Sequence, residues 1–392
     1  MSEVKNIPIL RFPEFQGSWD KKTLGEIGEI VNGITYNPSQ IQESGVLVLR
    51  SSNVQGGRLS FEDNVFITVD KYNPVKLNDI LICVRNGSQR LIGKNAIINK
   101  EFDQVGFGAF MTVYRSDFNP FLQHWFQTKD YYKNVHKNLG ATINSINGSD
   151  LKKFKVPFPK SNEQKKIADF LTAVDKRIEL LEKKKTLLET YKKGVMKKIF
   201  NQEIRFKDDN GNDFPDWEEK RLGDVSECLD NQRKPLNDSE RQNMKGDIPY
   251  WGANNIMDYI NEYIFNEPIV LLAEDGGNFN DFKDRPIANY YTKKCWVNNH
   301  THVLKGKKDL LDTKFLFFSV VHKNIIGFVS GGTRSKLTKS EMLKIPLGLP
   351  CVMEQKKISE FLSSIDNQIE LLETQIDKSQ TWKKGLLQKM FV

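Results

Sequence analysis

The chain has 392 residues, 39% apolar and 28% charged, with 25 Phe, 11 Tyr and 6 Trp; it is too long for one ordinary core and too apolar for a disordered chain, so two large units are expected. Lys and Arg outnumber Asp and Glu by 58 to 50, a formal charge of +8 and a moderate bias toward a polyanion that many proteins without a nucleic-acid partner share. The opening MSEVKNIPIL has no basic-then-apolar leader, nowhere do 18 apolar residues run together, and Cys83, Cys228, Cys295 and Cys351 are too scattered for a zinc ribbon or a disulfide framework; a cytoplasmic protein is expected.

In chain order, the first signature is Trp19 followed by Leu24-Gly25-Glu26-Ile27. Short buried strands are expected at 46–49, 80–84, 96–98 and 110–114, then a helix from Phe121 to Asn138 after Pro120. Polar loops lie between them: Arg50, Ser51 and Asn53; Arg85, Asn86, Ser88 and Arg90; and Thr142 with Asn144 behind Gly140. These are the residue types that read bases, since arginine forks onto guanine and Asn or Gln onto adenine. Gly140 suits a close backbone approach to phosphate, or a plain turn.

A long helix follows. Pro157-Phe158-Pro159 blocks an earlier start, and Ile167, Leu171, Val174, Ile178, Leu181, Leu188, Val195 and Ile199 fall on alternating three- and four-residue steps, broken by Lys185 and Lys192. That is a coiled-coil seam. About 37 residues at ~1.5 Å each span on the order of 55 Å, equivalent to roughly 16 base pairs at ~3.4 Å, an upper bound on the distance between two flanking heads.

The sequence then begins again. Trp217 with Leu222-Gly223-Asp224-Val225 repeats the opening at an offset of 198, and Arg205-Phe206 repeats Arg11-Phe12. The second head offers strands at 269–272, 296–297 and 301–304 and a helix over 313–326, with loops carrying Gln232, Arg233 and Lys234; Tyr250, Asn254 and Asn255; and Thr333, Arg334 and Lys336 behind Gly331. Residues 342–391 repeat 151–200 without a gap: Glu163-Gln164-Lys165-Lys166-Ile167 recurs as Glu354-Gln355-Lys356-Lys357-Ile358, and the seam as Ile358, Leu362, Ile365, Ile369, Leu372, Ile376, Leu386 and Met390, broken by Ser379 and Lys383. No alignment relates residues 30–135 to 228–325. A repeated frame with unmatched middles suggests one scaffold presenting two recognition surfaces; drift after duplication is the plainer explanation. The economical pairing of the helices is with each other, antiparallel, with a partner's helices as the alternative.

Catalytic motifs fail one by one. Gly93-Lys94-Asn95 lacks the first glycine and the Ser or Thr of a phosphate loop, and the carboxylates of Pro215-Asp216-Trp217-Glu218-Glu219-Lys220 crowd into one turn. His300-Thr301-His302 has no third ligand at a recognisable spacing, so packing is expected of it, and Glu274-Asp275-Gly276-Gly277-Asn278 reads as a tight turn rather than a calcium loop. There is no Asn-Pro-Pro-aromatic tetrapeptide of an adenine methyltransferase.

Phe12-Pro13-Glu14-Phe15 to Trp19, Leu24-Gly25-Glu26-Ile27 and the doubled Glu-Gln-Lys-Lys-Ile helix openings resemble the specificity subunit of type I restriction-modification systems, across essentially the whole chain. The resemblance implies an α+β chain with two target-recognition domains joined by two long helices in an antiparallel coiled coil, a pseudo-twofold tandem repeat. The expected boundaries are 1–160 and 204–351 for the domains and 161–203 and 352–392 for the helices. It further implies a non-catalytic subunit reading a split, asymmetric DNA target, with no cofactor or metal of its own. Two methyltransferase subunits using S-adenosylmethionine would dock on the helices, around Ile167 to Leu181 and Ile358 to Leu372, and two ATP- and Mg-dependent translocase-nuclease subunits would join for cleavage. A free-standing DNA-modifying enzyme and a coiled-coil scaffold without DNA are the competing expectations.

Overall fold

The computed structural model describes residues 6–139, 144–331 and 335–391. The chain divides into two compact units, Met1–Glu182 with Thr374–Val392, and Lys183–Glu373. Each is built by the same route. The lead-in strand pairs antiparallel with the strand that leaves for the long helix, Asp20–Thr23 with Lys155–Phe158 in the first unit and Glu218–Arg221 with Pro346–Leu349 in the second.

Between these clasps each unit holds a four-stranded antiparallel sheet of one topology. In the first its order is Glu29–Asn32, Met111–Arg115, Ile80–Cys83, Asn95–Ile97; in the second it is Ser226–Cys228, Thr301–Gly306, Ile269–Ala273, Ala288–Tyr291. The central strands Ile80–Cys83 and Ile269–Ala273 are buried along their whole length, as their unbroken apolar runs require. A second sheet in each unit contains one parallel pair, Val46–Leu49 with Val105–Phe107 and Lys245–Trp251 with Trp296–Val297. The middles that share no sequence therefore share a fold.

Two expected helices are shorter than their patterns. The stretch 121–138 is two helices, Asn119–Trp125 and Lys129–Lys137, because Thr128 interrupts it and caps the second by accepting from the Tyr131 backbone N–H at 3.3 Å. The stretch 313–326 ends as a helix at Val320.

The long helices are Ser161–Phe200 and Val352–Met390, of 40 and 39 residues. The repeated Glu-Gln has a physical purpose at their starts. Gln164 and Gln355 donate to the carbonyls of Pro159 and Pro350 at 2.6 and 2.8 Å, closing the preceding turn, while the buried Glu163 and Glu354 accept the two-pronged guanidinium bonds of Arg11 and Arg205. The Arg-Phe of each lead-in is thereby tied to its exit helix.

Along the seam, Ile167, Leu171, Val174 and Ile178 share the first unit's core with Phe121, Trp125 and Leu151 and with Leu386, Leu387 and Met390 of the second helix. Ile358, Leu362 and Ile365 share the second unit's core with Phe315 and Leu316 and with Met196 and Ile199 of the first helix, Ile369 packing at its edge. Leu372 is buried and Leu181 half-buried. The polar breaks are accounted for: Lys383 pairs with Asp175, Lys192 with Asp366, and Lys185 with Glu373 at 2.9 Å, and Ser379 donates to the Gln375 carbonyl of its own helix. In the first unit Asp175 meets Lys383 and Glu182 meets Gln380, in the second Lys185 meets Glu373 and Lys192 meets Asp366, so the pairing is antiparallel in both. Polar pairs within an apolar seam fix register at some expense of stability. Among the described residues no helix is long and apolar enough to cross a membrane.

Candidate nucleic-acid interface

In the first unit three of the polar loops meet. Asn86 donates its side-chain amide to Ser51 Oγ at 3.0 Å and its backbone N–H to the Asn144 carbonyl at 3.3 Å, and Asn144 Nδ2 donates to the Gly87 carbonyl at 3.0 Å. Arg85, Ser88 and Arg90 are exposed on this surface. Arg50 is pinned to Asp63 at 2.8 Å, whereas Arg85 and Arg90 have no carboxylate partner among the described residues. Asn53 sits differently from the others: it is fully buried, its amide donating to the Ser60 and Asp63 carbonyls and accepting from the Arg50 N–H. It shapes the loop and presents nothing to a base.

The second unit repeats the backbone connections. Gly276 N–H donates to the Ser335 carbonyl at 3.2 Å as Asn86 does to Asn144, and Leu337 N–H to the Glu274 carbonyl at 2.7 Å as Ile146 does to Val84 at 2.9 Å. Residue pairs Asp275 with Lys336 and Arg85 with Ser145 form matching isolated bridges, and 336 − 145 restores the offset of 191. Asn254 Nδ2 joins the third loop by donating to the Gly276 carbonyl at 2.9 Å, and Asn255 adjoins it.

Tyr250 is corrected by the structure. It lies in the strand Lys245–Trp251, which the sequence had not suggested, and is buried, its hydroxyl accepting from the Leu236 N–H at 2.9 Å. Lys234 is held at the same edge, its carbonyl accepting from Trp296 Nε1 at 2.6 Å and its ammonium 5.9 Å from that ring. Gln232 closes the short turn Asp230–Gln232. Gly331 adopts φ +97°, a conformation glycine favours; Thr142, Thr333, Arg334 and Gly140 lie outside the described residues.

Electrostatically the second face centres on Glu274. Arg233 Nη1 lies 2.6 Å and Lys336 Nζ 3.2 Å from its carboxylate, and Arg233 also contacts Asp230 at 3.3 Å. The buried His302 points Nδ1 at Asp230, 2.7 Å away, and donates Nε2–H to the Leu337 carbonyl at 2.8 Å. Burial is the largest single influence and pushes both carboxyls up, but the contacts with His302, the Val303 N–H and Arg233 at Asp230, and with Arg233, His302 and Lys336 at Glu274, together outweigh it and hold them below the ordinary range. Asp230, Glu274 and His302 bring ligand-type atoms within 4.8 Å of one another, so a third and nearby group does exist beside His302; the Arg233 guanidinium is the cation that already matches their charge. Cys83 and Cys295 are poor nucleophiles, since burial pushes their thiols up to about 11 and about 12.

On sequence alone Phe110 reads as part of a strand, Glu274 and Asp275 as a tight turn and His300 as packing, and none of them as a base-reading candidate. Phe110 is 58% exposed at the turn before the strand Met111–Arg115, its carbonyl accepting the N–H groups of Val84 and Arg85 at 3.0 and 3.1 Å, with the Arg85 guanidinium 5.8 Å from its ring centroid. An aromatic residue beside an exposed arginine at a glycine-led turn was the available signal.

Two copies of the type I restriction modification DNA specificity domain are matched, at residues 16–190 and 215–379. The chain belongs to the type I restriction-modification specificity family. Among curated relatives, a putative type I restriction enzyme MjaX specificity subunit of Methanocaldococcus jannaschii is 26% identical over 98% of this chain and 95% of that protein. A putative type I specificity subunit of Haemophilus influenzae is 37% identical over 37% of this chain and 36% of that protein. The crystal structure of a type I S subunit from M. genitalium superposes with a TM-score of 0.64 at 18% identity, covering 98% of this chain and 99% of that one. A structure from work on complex assembly and conformational transition of the type I R-M system gives 0.54 at 14% identity over 95% and 97%; these two bear on the fold. As a family member the chain is a DNA-recognition component rather than a catalytic one.

Proposed function

We propose that each unit reads one half of a split, asymmetric DNA target and that the paired helices set the unspecified gap. The observation that carries this reading is the recurrence of one backbone framework, joining residues 84–86, 110 and 144–146 in the first unit and 274–276, 300 and 335–337 in the second, with different side chains on it. The base-reading groups are the loop residues Ser51, Arg85, Asn86, Ser88, Arg90 and Asn144 in the first unit and Gln232, Arg233, Lys234, Asn254, Asn255 and Lys336 in the second; Arg85, Ser88, Arg90, Gln232, Lys234, Asn255 and Lys336 are exposed and the others half-buried. Asn53 and Tyr250 support them from within. Thr142, Thr333 and Arg334 complete the set by their place in the repeat. The functional segments are 1–160 and 204–351, with 161–203 and 352–392 as the spacing helices, and the protein works in the cytoplasm.

Partners supply the catalysis: two methyltransferase subunits with S-adenosylmethionine, joined for cleavage by two ATP- and Mg-dependent translocase-nuclease subunits. The twofold count has a physical support. Most seam residues are buried within the chain, but each unit also exposes a leucine and an aromatic ring at equivalent positions of its helices, Leu180 with Trp382 in one and Leu371 with Tyr191 in the other, and 371 − 180 and 382 − 191 both equal 191. Two copies of one partner would find two equivalent surfaces.

Methylome sequencing of a strain carrying the chain and its partner subunits tests the reading. A gapped motif with unlike halves is expected, with binding that weakens steeply as salt rises; a continuous motif, or methylation by the chain alone, would contradict it.

A further inference from the structure

The backbone bonds allow the two faces to be matched residue by residue even though their sequences do not align. Val84 and Glu274 each donate N–H to the carbonyl of a turn residue, Phe110 at 3.0 Å and His300 at 2.9 Å, and each accepts from the residue 146 or 337 that the repeat relates by 191. The next residues, Arg85 and Asp275, form the matching bridges to Ser145 and Lys336. Position 85 therefore corresponds to 275, and 110 to 300. In both units these two side chains touch: the Arg85 guanidinium lies against the Phe110 ring, and Asp275 Oδ1 lies 2.6 Å from His300 Nδ1. In both the turn residue reaches solvent, Phe110 at 58% and His300 at 39%, with Arg85 exposed and Asp275 one-fifth exposed beside them.

We infer that 85 with 110 and 275 with 300 are one base-reading pair executed in two chemistries. This rests on the proposal that each unit reads one half-site. In the first unit the ring holds a donor-only fork that no carboxylate engages among the described residues, the complement of guanine O6 and N7. The exposed ring edge is apolar surface suited to the 5-methyl group of a neighbouring thymine. In the second unit the same place offers a carboxylate with an imidazole turned toward it. That pair accepts, and its complement in the major groove is an exocyclic amino group, cytosine N4 or adenine N6. Arg50 is engaged by Asp63 and Arg233 and Lys336 by Glu274, while Arg90 is a further exposed donor of the first unit; among the positions that the backbone bonds match between the units, this pair is the one that differs in hydrogen-bonding sense.

The test uses the complex of the full chain with its methyltransferase partners, on duplexes carrying its methylome-defined target with each base pair changed in turn. Arg85→Ala should reduce the preference for guanine at one position of the first half-site from roughly tenfold or more to near unity. Phe110→Ala should weaken that position and abolish the loss of binding caused by replacing the adjacent thymine with uracil, whereas Phe110→Leu retains sensitivity to the methyl group. Asp275→Asn should relax one amino-bearing position of the second half-site. Each variant contains its own fold control, because the opposite half-site must keep wild-type discrimination. The inference is overturned if Arg85→Ala and Asp275→Asn leave every position as selective as before, or if the relaxed position falls in the opposite half-site. An unmodified complex without any sequence preference would instead remove the half-site reading beneath it.

Discussion

In the first unit the loop after the central strand carries Arg85, Asn86 and Arg90 and lies against Phe110; in the second the matching loop carries Glu274 and Asp275 and lies against His300. The first face presents Arg85 and Arg90, which have no carboxylate partner among the described residues, the second a closed network of Arg233, Lys336, Asp230 and His302 around Glu274. Beneath them the clasps, the sheet orders and the Glu-Arg ties are the same. Recognition loops held by main-chain bonds can change their side chains without losing their shape, because N–H and C=O groups make no demand on residue type.

The largest effects should come from the shared frame. Removing Glu163 leaves the Arg11 guanidinium without a carboxylate, and removing Glu354 leaves Arg205 only the exposed Asp216, 3.3 Å away, so Glu163→Ala and Glu354→Ala should each destabilise by about 3–4 kcal/mol in chemical unfolding. The second should cost roughly 1 kcal/mol more, since Glu354 also accepts from Trp217 Nε1 at 3.0 Å while Trp19 Nε1 has no partner among the described residues. Equal costs would break that distinction.

Next is the second face. Glu274→Ala strips Arg233 and Lys336 of their shared partner and should cost about 3 kcal/mol. It should blur the second half-site and leave the first as selective as before, which a base-by-base binding scan would show; an equal loss in both halves would mean that the faces are coupled.

Acid should separate the units by a smaller margin. His124, packed in the first unit against Thr172 and Asp175, has its pKa pushed down to about 3, by burial first and then by Lys383. Unfolded it would titrate near ~6.5. Between these values only the unfolded chain binds the proton, so the first unit loses stability as pH falls from about 6.5 toward 3, by a few kcal/mol at most. The lowered carboxyls of Asp230 and Glu274 act the other way in range: their contribution is full above the ordinary carboxylate pKa near ~4 and is lost only as pH falls below it. Hydrogen exchange at pH 5 should show the first unit opening before the second, and a simultaneous loosening would argue against this. The smallest energetic effect should come from inserting one seven-residue heptad into both long helices, which preserves the seam and should leave stability within about 1 kcal/mol. It should widen the gap of the target by roughly 3 base pairs, at ~1.5 Å per residue and ~3.4 Å per pair, with both half-sites unchanged.

Much of the frame was legible because its signals are strong side-chain patterns. The seam from Ile167 to Ile178 and its copy, the prolines before each helix and the doubled Glu-Gln are demands of burial and capping that a sequence displays directly. The breaks at Lys192 and Lys383 could be read only as interruptions of the seam, because their partners, Asp366 and Asp175, stand on the other helix, far away in sequence. The kinship of residues 30–135 with 228–325 was hidden for the reason that makes the faces interchangeable: it is written in strand order and main-chain bonds. Arg85, Asn86 and Asn144 were chosen by residue type and lie together on one surface, but the same criterion chose Asn53 and Tyr250, whose polar groups are spent on their own loops, and it gave no reason to choose Phe110 or His300, whose place is set by a turn.

The central claim is that one framework carries two independent faces, and exchange of a face tests it most directly. Residues 30–135 would be replaced by the corresponding segment of another family member, with both long helices and the second unit untouched, and the methylome of the resulting strain sequenced. One half of the motif should change while the other half and the gap stay the same; changes in both halves, or an unaltered motif, would contradict the account.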